Sequence, residues 1–172
     1  IAFQVPLTHS GHEEDGWGEI DLLGVNKRGG PVVVELKKDP PPVDGGRTGQ
    51  SESPMRMILE GWAYAIALKK AWPHLVTEFE NQVSRLDEHL LVPRELLSVP
   101  IVGAAPAAYW IDWLPVADKG RSGVSLSDWR LFSALLEAMS HNGFPVSFLS
   151  IRGDAGNPHS LAAQPLKNFP LL

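Results

Sequence analysis

The 172-residue chain contains no cysteine, and this absence narrows the chemistry that it can carry out. Without thiols there is no disulfide, no thiolate metal site and no cysteine nucleophile. No apolar run approaches the roughly 18 residues that a membrane span requires, and no secretory signal is visible. We therefore expect a cytoplasmic protein that has no membrane partner.

Several widespread catalytic motifs are absent as well. The chain has no Gly-x-x-x-x-Gly-Lys-Ser/Thr phosphate loop and no Gly-x-Gly-x-x-Gly that opens a helix. It also lacks Gly-x-Ser-x-Gly and His-Glu-x-x-His, the signatures of nucleophile elbows and of one large class of zinc peptidases. The sequence therefore gives no support to these nucleotide-binding and hydrolytic classes.

An excess of positive charge is also missing, because the formal net charge is −5. Neutralisation of phosphates supplies most of the non-specific affinity of proteins for nucleic acids. If the partner is a nucleic acid, weak or transient contact is therefore more plausible than tight binding. Apolar content of 44% and charged content of 20% are those of an ordinary globular protein, and the length suits a single domain over residues 1–172.

A two-strand pattern occupies residues 18–37 and is the most informative part of the chain. The segments Glu19–Val25 and Pro31–Lys37 are rich in Ile, Leu and Val. Residues 26–30 between them contain one Asn and two glycines, which are typical of a turn. The pattern predicts a β-hairpin.

Alternation of side chains along these strands places charged residues on one face. If the hairpin folds about Arg28, residues whose numbers sum to 56 lie opposite each other. Asp21 then faces Glu35, and Glu19 faces Lys37. Directly opposed residues lie roughly 4.5–5.5 Å apart at Cβ, and like charges placed so are destabilising. At least one of the two carboxyl groups should therefore have a raised pKa.

Two interpretations of this charged face are open. The hairpin would either lie at the edge of a sheet with its charges in water, or be buried within the sheet. The apolar runs Leu22–Leu23 and Val32–Val34 cover both faces, which favours a buried strand pair. Because buried carboxylates without partners are costly, a divalent cation between them is the simplest explanation.

Asp21, followed after 13 residues by Glu35-Leu36-Lys37, resembles the motif of the PD-(D/E)XK nuclease superfamily. The Gly-Glu-Ile-Asp sequence that ends at Asp21 is also common in these nucleases. The resemblance covers residues 18–38 and, through the order of the predicted elements, extends to Pro106. It implies an α/β fold of the restriction endonuclease-like type. In that fold a mixed β-sheet is flanked by helices, and the active-site hairpin is followed by a helix and further strands.

The resemblance also implies a chemistry, namely hydrolysis of phosphodiester bonds in nucleic acid, most readily DNA, with Mg²⁺ or Mn²⁺. Asp21 and Glu35 would hold the metal together with the backbone carbonyl of Leu36, and oxygen ligands of this kind suit Mg²⁺. Lys37 would orient or help to deprotonate the attacking water. A lysine flanked by carboxylates tends to stay protonated, which favours orientation and electrostatics over the role of a general base.

One departure from the family concerns the helix that normally precedes the hairpin and carries an acidic residue facing the site. Residues 1–17 have no helical period, and we expect a solvated loop there. Either this helix precedes Ile1, or Glu13, Glu14 or Glu19 takes the place of its acidic residue. This leaves a second hypothesis open, a catalytically inactive nuclease-like domain that serves as a binding or assembly module. A homodimer or larger assembly is compatible with either hypothesis.

The clearest helix follows the hairpin. Ser53 is a preferred N-cap and Pro54 suits the first helical position, whereas Pro73 is expected to end the helix. The apolar stripe expected to face the core consists of Met55, Ile58, Leu59, Trp62, Ala65 and Ile66.

A second row on this helix, Arg56, Glu60 and Tyr64, is spaced at four-residue steps. It would either lend polar residues to the site, as in similar nucleases, or form a plain exposed ion pair. The loop over residues 39–53 leaves the hairpin directly after the site, so Arg47 is a candidate phosphate contact. An ordinary surface loop is equally compatible with that composition.

The remaining chain predicts further helices and strands of the same domain. Trp110 is expected in the core rather than as a platform for bases. The expected elements are a less certain helical region over residues 73–97, a strand at Val99–Ala104, a strand or extended loop at Ala108–Leu114, a helix at Asp128–His141, a strand at Pro145–Ile151 and an irregular tail from Asn157.

Overall fold

A computed structural model describes residues 2–8, 16–37, 53–113, 126–153, 157 and 160–166. These residues form six strands and three helices. In chain order they are β1 (Ala2–Thr8), β2 (Gly16–Val25), β3 (Pro31–Leu36), α1 (Pro54–Ser84), β4 (Ile101–Pro106), α2 (Ala107–Trp113), α3 (Leu126–His141), β5 (Val146–Arg152) and β6 (Ala162–Pro165).

All six strands belong to one open, mixed sheet in which the spatial order follows the chain order. The three central strands β3, β4 and β5 run parallel, and α1, α2 and α3 lie in the connections between them. The pairs β1–β2, β2–β3 and β5–β6 are antiparallel. The expected α/β class with a mixed sheet and helices is therefore confirmed.

The β2–β3 hairpin has the predicted register. Leu22 lies opposite Val34, and the three neighbouring pairs follow the same rule, so that the residue numbers of each pair sum to 56. The side-chain Oδ1 of Asn26 closes the turn by accepting hydrogen bonds from the backbone N–H groups of Arg28 (2.8 Å) and Gly30 (3.2 Å). Because β1 pairs with β2 and β4 with β3, the hairpin lies inside the sheet and not at its edge.

The turn glycine Gly29 has a left-handed backbone with φ of +77°. A Cβ atom at this position would also collide with the backbone carbonyl oxygen of Leu91. We expect Gly29→Ala to lower the free energy of unfolding by at least about 2 kcal/mol, because the left-handed conformation alone costs an L-residue roughly 1–2 kcal/mol. Thermal melts measure the effect, and Gly24→Ala is the matched control. A Cβ at Gly24 has no neighbour closer than 3.9 Å, so equal losses in the two variants would contradict this explanation.

Helix α1 begins as predicted and ends later than predicted. Ser53 is its N-cap, and the Ser53 hydroxyl accepts a hydrogen bond from the backbone N–H of Arg56 (3.2 Å). The predicted end at Pro73 is wrong, because Pro73 lies inside a helix that continues to Ser84. The neighbouring Trp72 is buried, and its Nε1 donates to the Pro93 carbonyl oxygen (2.9 Å). Contacts of this kind offset the backbone hydrogen bond that a proline removes.

The face of α1 that packs on the sheet differs from the predicted stripe. Leu59 and Ile66, expected in the core, are 44% and 45% exposed. The buried face instead passes through Gly61, where a Cβ atom would lie 2.8 Å from Ile101 Cγ2 and 3.3 Å from Glu35 Cγ. The helix therefore approaches the sheet along a glycine, which a count of apolar side chains does not include. The buried residues of α1 are Pro54, Met57, Ile58, Gly61, Ala65, Leu68, Trp72, Val76 and Val83.

Helix α2 corrects the prediction of a strand or extended loop at Ala108–Leu114. It turns back directly from the end of β4, and Trp110 is buried as predicted. The Trp110 Nε1 donates to the carbonyl oxygens of Ala105 (3.2 Å) and Leu149 (3.1 Å). Its ring packs edge-on against Phe148 of β5, with 5.5 Å between the centroids. These contacts anchor a helix too short to be stable by itself.

The two ends of the described chain also differ from expectation. Residues 2–8 form β1 and not a loop, because they pair with β2 in a ladder that includes Phe3 opposite Leu22. Residues 162–165 form β6 within the tail expected to be irregular, because they pair with β5, with Gln164 opposite Ser150. The strand near residue 100, the helix ending near His141 and the last central strand lie within three residues of their predicted bounds. None of the helices in the described part of the chain combines the length and the apolar character that a membrane span needs.

Candidate active site

The β2–β3 hairpin brings the Asp21 and Glu35 side chains together next to the end of β3. Asp21 Oδ2 accepts a hydrogen bond from the backbone N–H of Leu36 (2.8 Å), which ties the Asp21 side chain across to β3. Both the charge of Asp21 and a hydrogen bond between the two side chains act on the Glu35 carboxyl, and both raise its pKa. The two acidic groups therefore share one site, at the place that the hairpin register indicates.

The burial of the Glu35 carboxyl group is unfavourable for the stability of the fold. The residue is 3% exposed, and its Oε1 is buried with no hydrogen-bond partner among the described residues. Burial first, and the neighbouring Asp21 second, raise the pKa of Glu35 from its ordinary 4.5 to about 8, against the opposing influence of Lys37. A raised pKa in this pair was expected from repulsion, but loss of hydration is the larger cause.

Lys37 follows β3 directly, and α1 holds its side chain. The Lys37 backbone N–H donates to the Ala104 carbonyl oxygen (2.9 Å), which continues the pairing with β4. Its Nζ forms an ion pair with Glu60 Oε2 (2.9 Å), and the Lys37 side chain is 11% exposed. The other Glu60 oxygen, Oε1, accepts from Arg56 Nε (2.6 Å). Burial opposes ionisation of Glu60, but the hydrogen bonds from Lys37 and Arg56 outweigh it and lower the pKa of Glu60.

Tyr64 lies one turn further along α1 and is half-buried. Burial raises the pKa of its phenol, and the negative charges of Glu35, Glu60 and Asp21 raise it further. Within the row on α1 predicted from four-residue spacing, Glu60 and Tyr64 therefore act together with the hairpin residues, and Arg56 is linked to them through Glu60. The most important contact of this row, the one between Glu60 and Lys37, joins residues that are 23 positions apart and cannot be seen from the spacing.

Gly61 is the residue of this site that the sequence reasoning missed. It packs against the Glu35 side chain and lets α1 approach β3 closely. In the sequence, Gly61 stands alone within a helical pattern, and such a glycine often marks a close packing contact.

The other predicted site residues are less informative. Glu19 is exposed on β2, and Leu36 is 36% exposed, with its carbonyl as the expected third ligand. Arg47, Glu13 and Glu14 lie outside the described residues. Arg56, Glu60 and Tyr64 also line an open pocket of about 560 Å³ along α1.

The donor set fits a hard divalent cation. Two carboxyl groups lie next to each other, and one of them has a buried oxygen without a partner. A cation bound here would offset both the repulsion between the two groups and the cost of burying that oxygen. Within the described ranges no group of three or more His, Asp or Glu side chains could hold a metal. A site at this place would therefore depend on Asp21, Glu35 and a backbone carbonyl, that of Leu36 being the candidate.

Comparisons of this chain with protein-family models, with curated proteins and with solved structures found no match.

Proposed function

We propose that the protein is a divalent-metal-dependent nuclease of the restriction endonuclease-like type, which hydrolyses phosphodiester bonds of nucleic acid, with DNA as the favoured substrate. The observation that carries this proposal is the Glu35 carboxyl. It is 3% exposed, lies against Asp21 and leaves one oxygen without a hydrogen bond, while the cation of Lys37 stands nearby. A buried carboxyl group without a full set of hydrogen bonds destabilises the fold, so a functional role explains its presence here more simply than a structural one.

Asp21, Glu35 and the Leu36 carbonyl would hold Mg²⁺ or Mn²⁺. When bound, such a cation lowers the pKa of a coordinated water and withdraws charge from phosphoryl oxygens. Lys37 would contact a phosphate oxygen and orient the water through its positive charge. Its ion pair with Glu60 supports that electrostatic role over the role of a general base.

The charge of the cluster supports a metal-dependent contact with substrate. Asp21, Glu35, Lys37, Glu60 and Arg56 include three acidic and two basic side chains, which give one net negative charge when all are ionised. A divalent cation would turn this into one net positive charge. An acidic protein would in this way attract a phosphate at one place without a basic surface.

The second candidate is the inactive module, and one observation favours it. A Glu35 pKa of about 8 means that a proton occupies this carboxyl group at neutral pH when no metal is bound. A protonated Glu35 that shares a hydrogen bond with Asp21 would make a scaffold that needs no cation. The protein would then bind a partner without cleaving it.

Cleavage assays separate the two candidates. Supercoiled plasmid, single-stranded DNA and RNA are incubated with the protein in Mg²⁺, Mn²⁺, Ca²⁺ or a chelator. We expect cleavage in Mg²⁺ or Mn²⁺ only, and none by Glu35→Gln purified in parallel, which controls for a contaminating nuclease. Absence of cleavage of all three substrates by the parent, in every metal tested, would contradict the nuclease proposal and leave the inactive module as the remaining candidate.

A further inference from the structure

The Lys37 side chain is held by a residue of another element, and the contact is largely shielded from water. The ammonium and the Glu60 carboxylate are 2.9 Å apart, and their side chains are 11% and 28% exposed. Ion pairs in full contact with solvent contribute little, because water and salt screen them. Shielding makes this pair stronger and its geometry better defined.

Glu60 is itself fixed from its other side. Its Oε1 accepts from Arg56 Nε at 2.6 Å, and Arg56 lies on the first turn of α1. Both oxygens of one carboxylate therefore have a cationic partner, so the carboxylate cannot rotate without losing a contact. A lysine side chain has a large conformational entropy to lose, and an anchored carboxylate removes part of that freedom before any substrate arrives.

We propose that Glu60 is a positioning residue, whose carboxylate fixes the Lys37 ammonium beside the Asp21–Glu35 pair while Arg56 fixes Glu60. This inference rests on the proposed hydrolysis and assigns to Glu60 a role that acts through Lys37. Because both Glu60 oxygens are engaged by cations, Glu60 is not a metal ligand in this arrangement. The pairing also explains why an exposed arginine, 54% accessible, contributes to the site without facing the carboxyl pair.

The kinetic test compares Glu60→Ala with Glu80→Ala. Glu80 is a glutamate of the same helix, and it is paired in a comparable way with the exposed Arg94 (3.0 Å). We expect Glu60→Ala to lower kcat by about 10–100-fold, because a displacement of about 1 Å in a catalytic group can cost a factor of that order. KM for DNA and the metal concentration at half-maximal rate should change less than threefold. Glu80→Ala should match the parent, and Glu60→Gln should recover part of the loss, since its amide oxygen still accepts from Lys37.

A double variant shows whether Glu60 acts through Lys37. In the Lys37→Ala background, Glu60→Ala should cause no further loss of the residual rate, because the group that Glu60 positions is gone. A further loss by the same factor as in the parent background would overturn the proposal. So would a Glu60→Ala variant that cleaves at the parent's rate.

A second measurement does not depend on cleavage. Modification of Lys37 by an amine-reactive acylating reagent is followed by peptide mass spectrometry in the parent, Glu60→Ala and Glu80→Ala. We expect Lys37 to react several-fold faster in Glu60→Ala alone. Equal rates in the three proteins would overturn the positioning role, whether or not the parent is a nuclease. If Lys37 is labelled faster in Glu60→Ala but the parent cleaves no substrate, the contact between Glu60 and Lys37 is supported and the proposed hydrolysis is wrong.

Discussion

Replacing Lys37 by alanine should reduce nucleic-acid cleavage to a small residual rate while leaving metal binding largely intact. The Lys37 ammonium faces Glu60 and acts on Glu35, but it is not one of the proposed ligands. Loss of a single group that stabilises charge in a transition state commonly costs 10²–10³ in rate, and we expect a loss of at least about that size. Single-turnover cleavage of plasmid DNA measures the rate, and calorimetric titration with Mn²⁺ measures metal binding.

Two further variants serve as controls for Lys37→Ala. Glu35→Ala should lose both cleavage and metal binding, because it removes a ligand. Lys70→Ala, which removes an exposed lysine of α1, should behave like the parent. If Lys37→Ala cleaves at the parent's rate, the role assigned to Lys37 is wrong.

The stability of the metal-free protein should fall steeply between about pH 4.5 and pH 8. The unfolded chain releases the Glu35 proton near pH 4.5, whereas the folded chain keeps it until about pH 8. In this window the folded state binds more protons than the unfolded state, so the free energy of unfolding decreases as the pH rises. The slope is about 1.4 kcal/mol per pH unit, and the whole decrease over these roughly 3.5 units is on the order of 5 kcal/mol. Above pH 8 the contribution of Glu35 becomes constant.

Urea unfolding at a series of pH values, in chelator, tests this prediction against Glu35→Gln. The variant cannot ionise at this position, so the part of the slope due to Glu35 should disappear and the variant should exceed the parent in stability at pH 9. Saturating Mg²⁺ should also reduce the slope in the parent, because a cation stabilises the ionised form, and it should raise the melting temperature. Parallel pH profiles for parent and variant would show that Glu35 is ionised in the folded protein throughout.

The hairpin could be predicted from sequence because its determinants are local. The Asn-containing turn and the two apolar segments fixed the register, and the register alone placed Asp21 beside Glu35. The N-cap at Ser53 was also visible, since a hydroxyl at this position bonds a backbone N–H three residues away. These features need only information within a few residues.

The errors occurred where distant residues decide the structure. The sequence of residues 2–8 has no pattern that predicts a strand, but these residues form one because they pair with β2. Pro73 would end an isolated helix, but the burial of Trp72 keeps the helix intact. The Lys37–Glu60 ion pair depends on how α1 lies across β3, and no spacing rule specifies that.

The absence of a side chain at Gly61 has a consequence for how this site can change over evolutionary time. The same close approach of α1 that fills the core also leaves no free space for a side chain beside Glu35 Cγ, and Glu35 is buried there. The packing of the core at Gly61 and the proton affinity of Glu35 therefore depend on the same contact. A substitution that moves α1 away from this contact would hydrate Glu35 and lower the pKa of its carboxyl group. A change in packing at this buried glycine would thus also change the pH at which Glu35 releases its proton.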